Sequence, residues 1–249
     1  MLDRIRRIGC IHFDKADSEN PIPTIEAALA NCRHDVSDTL IVLPEALDLG
    51  NGYYSKNAVP VFADNVLKRL SRSSNVAFVA GLSENACFRK PYNSAFLVDP
   101  ESVRVRRLSR KMNGDPNAQW YEGSSGDAQC LNYRGLTIAS LICQDATEFA
   151  PNRPGTTSDL HQRVLACLRS GQDKNVPILC VPARMTRYTP SSEAKDWPPD
   201  ISVVIANVKM KGDDWSGIRV ANGDWKPCQE GLCLEELPSA GAVRSGPRY

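Results

Sequence analysis

The stretch Gly135-Leu-Thr-Ile-Ala-Ser-Leu-Ile-Cys143-Gln-Asp-Ala-Thr-Glu-Phe149 changes character abruptly at its cysteine. From Leu136 to Ile142 every residue is aliphatic, small or hydroxylic, with no charge and no turn former, as in a short strand covered on both faces. Gln144, Asp145, Thr147 and Glu148 follow at once. The thiol of Cys143 is therefore expected at the carboxyl end of a buried strand, where open α/β sheets hold their ligands. A free cysteine also packs as a small hydrophobe, so position alone leaves a structural and a chemical reading of Cys143 open.

Working outward, strands and helices alternate. Asp38-Thr39 introduces Leu40-Ile41-Val42-Leu43, an apolar strand ending at Pro44-Glu45, so a carboxylate stands at its carboxyl end. A solvated strand-end glutamate is the common fate of such a residue. Ile5 to Phe13 reads as the first strand, and Ile25, Ala28, Leu29 and Cys32 recur at helical spacing behind a Thr24 cap. Phe62, Val66, Leu67 and Leu70 give a second helical face before the strand Val76 to Ala80. Asn93 to Val98 and Val103 to Leu108 form a hairpin about Asp99-Pro100-Glu101-Ser102 that delivers Lys111. Arg104, Arg106, Arg107 and Arg110 surround that lysine, either guarding an edge strand or, less readily, forming a local anion or nucleic-acid patch. Residues 112–134 are a long polar connection of the kind that often carries function. Beyond Cys143, Asp159 with Gln162 boxes a helix whose apolar face is Leu160, Val164, Leu165 and Leu168, stopping at Gly171. His161 on that helix reads as partly exposed. Val176 to Val181 and Ile201 to Asn207 are further strands, and the tail from Trp215 is rich in turn formers.

With 249 residues, 42% hydrophobic and 24% charged, the chain has the composition of an ordinary globular protein and no linker-like stretch, which predicts one domain. A formal charge of +1 supplies no global field for nucleic acid. The charged amino-terminal stretch is neither a signal peptide nor an anchor, and no run is long enough to span a bilayer, so a cytoplasmic location is expected. Nine cysteines, odd in number and irregular in spacing, predict reduced thiols rather than a disulfide framework. The three histidines do not complete a zinc site with Cys228 and Cys233, and no cofactor is implied.

Leu43-Pro44-Glu45, the Arg110-Lys111 that follows an Asn-Ser-Ala hairpin, and Leu141-Ile142-Cys143-Gln144-Asp145 resemble the three signature blocks of the nitrilase superfamily of carbon–nitrogen hydrolases. Ile178-Leu179-Cys180-Val181-Pro182 after Gly171, and Ile205-Ala206-Asn207 with Gly217, resemble its downstream strands, so the likeness runs over about residues 5–225 and leaves a short irregular tail. The resemblance implies a four-layer α-β-β-α sandwich, often dimerised through helices, and a Glu-Lys-Cys triad. In these terms Glu45 takes the thiol proton, Cys143 attacks the substrate carbon, and Lys111 with the backbone N–H of Gln144 stabilises the oxyanion. Many members of the family carry a further glutamate soon after the lysine; Gln119 stands near that place, and a shifted alignment brings Glu122 into it. The implied substrate is a small non-peptide amide or, less readily, a nitrile, with no nucleic-acid or membrane partner, and with a homodimer or a site-completing partner in view.

Other readings compete. Cys143 paired with His12 or His161 would make a papain-like or glutaminase-like site, but the flanking glycines of a nucleophile elbow are missing. A nitrilase-fold binding or regulatory module without turnover is the alternative from a different class.

Overall fold

A computed structural model of the chain describes residues 4–14, 17, 19–32, 35–48, 60–84, 91–102, 104–112, 123–147, 156–172, 174–184, 190–209 and 216–238. Two six-stranded mixed sheets form its centre. In the first, β1 (Arg7–Ile11), β3 (Thr39–Val42) and β4 (Val76–Glu84) run parallel, β5 (Tyr92–Val98) and β6 (Arg106–Arg110) extend it antiparallel, and β14 (Leu232–Glu236) closes the other edge on β1. In the second, β8 (Leu136–Ser140), β9 (Val176–Pro182) and β10 (Ser202–Ala206) run parallel, flanked antiparallel by β7 (Cys130–Tyr133) on one side and by β12 (Ser216–Arg219) and β13 (Trp225–Cys228) on the other. The two-residue strands β2 (Phe13–Asp14) and β11 (Val208–Lys209) pair with each other.

The two-residue period of the strands sorts their side chains into layers. Leu40 and Val42, Ala77 and Val79, and Ala95 and Leu97 point into the core shared with the second sheet. Their neighbours Ile41, Phe78, Phe96 and Val98 point the other way, into a core closed by helices. There Ile25 and Ala28 come from α1 (Pro21–Ala30), and Phe62, Val66, Leu67 and Leu70 from a helix that starts as a π-helical turn (Phe62–Leu67) and continues as α2 (Lys68–Ser74). That helix stops at Asn75, whose left-handed φ of 52° lets its N–H reach the Ser71 carbonyl. On the far side α3 (Thr156–Ser170) lays Leu160, Val164 and Leu168 on β8 and β9, and α4 (Pro190–Asp196) sits on β10 and β12. The order is α-β-β-α, and each such buried Val, Leu, Ile or Phe contributes about 1.5–3 kcal/mol.

Several local expectations change. The tail expected to be irregular carries β13 and β14, and β14 pairs with β1 from Arg7↔Glu236 to Ile11↔Leu232. The polar connection 112–134 contains β7 and, before it, a turn in which Asp127 accepts from the Ser124 N–H (2.8 Å) and hydroxyl (3.0 Å). Thr24 lies inside α1, whose cap position is Asn20, and α3 begins at Thr156, so Asp159 sits in its first turn. The cysteines are not all reduced. Packing of α3 against β7 brings Cys130 to Cys167 (Cα–Cα 6.1 Å), the β13–β14 turn brings Cys228 to Cys233 (5.6 Å), and both pairs form disulfides. Spacing along the chain could not reveal the first pair, because its partners are 37 residues apart on different elements. Cys10, Cys32, Cys143 and Cys180 take no part in a disulfide. No helix among the described residues is long and apolar enough to cross a membrane.

Candidate active site

Glu45 stands three residues beyond β3, where the ends of both sheets meet. Its backbone N–H reaches the Ala183 carbonyl just past β9 (3.4 Å), while Ala46, at a left-handed φ of 60°, donates its N–H to the Gly81 carbonyl in β4 (2.8 Å). A methyl group on Gly81 would lie 2.8 Å from Glu45 Cα, 2.9 Å from its Cβ and 3.1 Å from Pro182 Cβ. Only glycine lets the Glu45 backbone lie on β4 this closely. Asp48, also buried, accepts the Ser83 N–H (2.8 Å) and hydroxyl (3.0 Å) and ties the same segment to β4. Burial pushes its carboxyl above the usual carboxylate range against those two hydrogen bonds.

Lys111 follows β6. A register shift between Ala95 and Phe96 interrupts the β5–β6 ladder, and the ladder then continues as the Lys111 N–H donates to the Asn93 carbonyl (2.7 Å). From the other side Gly123 donates its N–H to the Lys111 carbonyl (2.8 Å), passing so close that a Cβ there would sit 2.6 Å from Arg110 Cβ. The backbone of the lysine is thus held at both polar atoms. Its ammonium lies 3.4 Å from each Glu45 oxygen, and the buried Asn93 amide donates to Glu45 Oε2 at 3.3 Å. Desolvation opposes charge on Lys111, but Glu45 first, then Cys143 and Asp145, outweigh it and hold its pKa above the usual lysine range. Lys111 is a fixed cation at neutral pH. Three of the four arginines around it are engaged: Arg107 and Arg110 pair with buried Glu84 at 2.8 and 2.7 Å, and Arg106 with Asp99 at 3.3 Å, while Arg104 is exposed. That arrangement fits an ion-paired edge better than an anion-binding patch.

Cys143 opens a short 3₁₀ turn, Cys143–Ala146, beyond β8. Its φ of 50° is left-handed, a conformation that costs a non-glycine residue about 1–3 kcal/mol and persists where the surroundings enforce it. A strained turn on the cysteine therefore exists without the glycines whose absence argued against an elbow. The strand below is pinned by Leu141 N–H and Ser140 Oγ–H, both donating to the Cys180 carbonyl at 3.2 and 2.9 Å. Above it, the buried carboxylate of Asp145 accepts the Met112 N–H at 2.6 Å.

The structure brings Glu45 and Lys111 into contact and sets Cys143 within electrostatic reach of Lys111. Gln144 lies in the turn, where its N–H is the donor expected at an oxyanion. Gln119 and Glu122 lie outside the described residues. The two histidines offered as partners of Cys143 both make other hydrogen bonds. His12 bonds the Cys228 carbonyl (3.3 Å) and lies 3.5 Å from Asp14. His161 is fully buried rather than partly exposed, and its Nε2 meets the Asp145 carbonyl at 2.8 Å. A carbonyl only accepts, so Nε2 carries the hydrogen. Burial depresses its pKa despite that bond, which keeps the ring neutral. Asn93, to which sequence reasoning assigned no role of its own, stands directly opposite Lys111 in the hairpin, and an amide inside an otherwise apolar strand is the signal that could have singled it out. No group of three or more His, Cys, Asp or Glu placed to hold a metal occurs among the described residues.

No protein-family profile matches the chain, and no curated protein matches its sequence. Solved structures do match. A glutamate-to-glutamine variant of an amidase from Nesterenkonia sp. AN1, which shows the acetamide moiety of fluoroacetamide covalently added at its active-site cysteine, superposes with a TM-score of 0.62 at 18% identity, over 99% of this chain and 95% of that one. A cysteine-to-alanine variant of the same amidase, assigned to the nitrilase superfamily, gives 0.58 at 16% identity over 99% and 95%. A double variant in complex with acrylamide gives 0.59 at 16% identity over 99% and 96%. Two six-stranded sheets between helical layers, matched end to end by these structures, give this chain the α-β-β-α fold of the nitrilase-superfamily amidases.

Proposed function

We propose that the protein is a cysteine-dependent hydrolase of a non-peptide C–N bond, acting on a small amide through Glu45, Lys111 and Cys143. The observation that carries this reading is the buried Glu45–Lys111 pair, at 3.4 Å, with a cysteine in a left-handed turn beyond a strand within electrostatic reach of the lysine. A thiol near its ordinary pKa is only a few per cent thiolate at neutral pH, so an adjacent base is needed. Glu45 accepts the Sγ proton as sulfur bonds to the carbonyl carbon, and the carbonyl π electrons move to oxygen. Lys111 and the Gln144 N–H stabilise that oxyanion. Its collapse breaks the C–N bond, the proton on Glu45 passes to nitrogen, and ammonia or an amine leaves a thioester. Water then gives a proton to Glu45, attacks the thioester carbon and releases the acid, and the Glu45 proton returns to sulfur. The adduct on the cysteine of the Nesterenkonia amidase supports the choice of an amide.

The test is ammonia release from a panel of short aliphatic amides by the parent and by Cys143→Ala. Turnover by the parent that disappears in the variant is expected. A Cys143→Ala protein that matches the parent on any amide refutes the assignment.

A further inference from the structure

The left-handed φ of 50° at Cys143 has to be enforced from outside its own turn, and three hydrogen bonds reach that turn from distant parts of the chain. The Met112 N–H donates to Asp145 Oδ2 (2.6 Å), His161 Nε2–H to the Asp145 carbonyl (2.8 Å), and Trp197 Nε1–H to the Ala146 carbonyl (3.1 Å). The two rings also pack edge to face, 5.3 Å apart at 72°, so each holds the other in place. All three of Asp145, His161 and Trp197 are at most 2% exposed. Asp145 is bound at its backbone N–H as well, to the Ile142 carbonyl at 3.1 Å. It lies two residues from the nucleophile, and its carboxylate grips the residue next to Lys111.

From this arrangement we propose that Asp145 and His161 are positioning residues that fix the nucleophile turn and the lysine segment relative to each other, with Trp197 as their support. Both act through the hydrogen bonds they make to the turn and to the lysine segment. His161 holds the Asp145 carbonyl toward α3, which sets the twist of the turn, and the Asp145 carboxylate carries that geometry across to Lys111. The sequence offered His161 as a rival base; the structure assigns it to the back of the nucleophile. The proposal rests on the hydrolase reading for the meaning of the site, but its geometry is testable without a substrate.

The experiment compares Asp145→Ala with Asp145→Asn, and His161→Phe with His161→Gln, in the full chain. Asn keeps an acceptor oxygen for the Met112 N–H, and Gln keeps an N–H for the Asp145 carbonyl. Readouts are the iodoacetamide alkylation rate of Cys143 relative to Cys32, and kcat and KM on any amide turned over. Expected are losses of roughly tenfold to a hundredfold in alkylation and kcat for Ala and Phe, with KM within about threefold, and recovery of most of each loss in Asn and Gln. Should Ala or Phe fail to fold, Trp197→Phe, which removes one N–H and keeps a ring, carries the same expectation. Rates within twofold of the parent, or Asn and Gln no better than Ala and Phe, overturn the proposal. If the parent hydrolyses no amide while the alkylation pattern holds, the hydrolase reading falls and the positioning role stands.

Discussion

Replacing Gly81 by alanine tests whether the carboxylate is placed by backbone contact between strands. The added methyl meets Glu45 Cα at 2.8 Å and Cβ at 2.9 Å, with Pro182 Cβ at 3.1 Å behind them. Carbon atoms rest about 3.5–4.0 Å apart, so Glu45 must retreat by roughly 0.7 Å or more. It cannot go freely, because its N–H is tied to Ala183 and the next N–H to Gly81 itself. Overpacking of this kind costs about 1–3 kcal/mol, or roughly 2–12 °C in Tm for a chain of this size. A displacement near 1 Å in a reacting group costs about a hundredfold in rate, so Cys143 alkylation and amide turnover should both fall roughly tenfold to a hundredfold. Gly126→Ala is the control, since its methyl meets nothing nearer than Ser124 Oγ at 3.6 Å. A Gly81→Ala protein that melts early yet alkylates and turns over within twofold of the parent would show that Glu45 is not held by this contact.

Two further outcomes follow from the electrostatics. Lys111→Met should lower kcat by roughly a hundredfold to a thousandfold, the usual cost of one oxyanion donor, and a loss confined to KM would place the lysine in substrate binding instead. Asp48 has a pKa raised by burial in the folded state, so its contribution to stability is full below the unfolded carboxylate value near 3.9 and is lost as pH rises through the folded value. Asp48→Asn, which offers Ser83 an acceptor and a donor, should therefore gain in Tm over the parent as pH rises through that window; a gain that shrinks with rising pH would contradict the burial argument.

Most of the architecture is legible in the chain because its central strands are uninterrupted apolar runs. Leu40 to Leu43, Val76 to Ala80 and Leu136 to Ile142 are buried on both faces, so burial and sequence carry the same pattern. The edge strands are different. β7, β13 and β14 are only half buried, and Trp225-Lys-Pro-Cys228 reads as a turn because its pairing with β12 is supplied by tertiary context. The partner of β14 is β1, more than two hundred residues away, which no local pattern announces. Of the candidate site, Glu45, Lys111 and Cys143 could be singled out because each follows closely on a strand. The burial of His161 was also written in the chain, since 161, 164 and 168 form a helical stripe with Val164 and Leu168, but residue type argued for the surface. The roles of Asn93 and Asp145 depend on which backbone groups the fold brings opposite them, and that is visible only in three dimensions.

The central claim is that Glu45 activates Cys143, and peptide-mapped mass spectrometry after brief, limiting iodoacetamide treatment tests it most directly. Cys10 and Cys180 are completely buried, and desolvation pushes both thiols far up, so they serve as inert references, with the half-buried Cys32 as an ordinary one. The account predicts that Cys143 labels well ahead of Cys32 in the parent and loses that lead in Glu45→Gln. A Cys143 no more reactive than Cys32, or one whose lead survives the loss of the carboxylate, would contradict it.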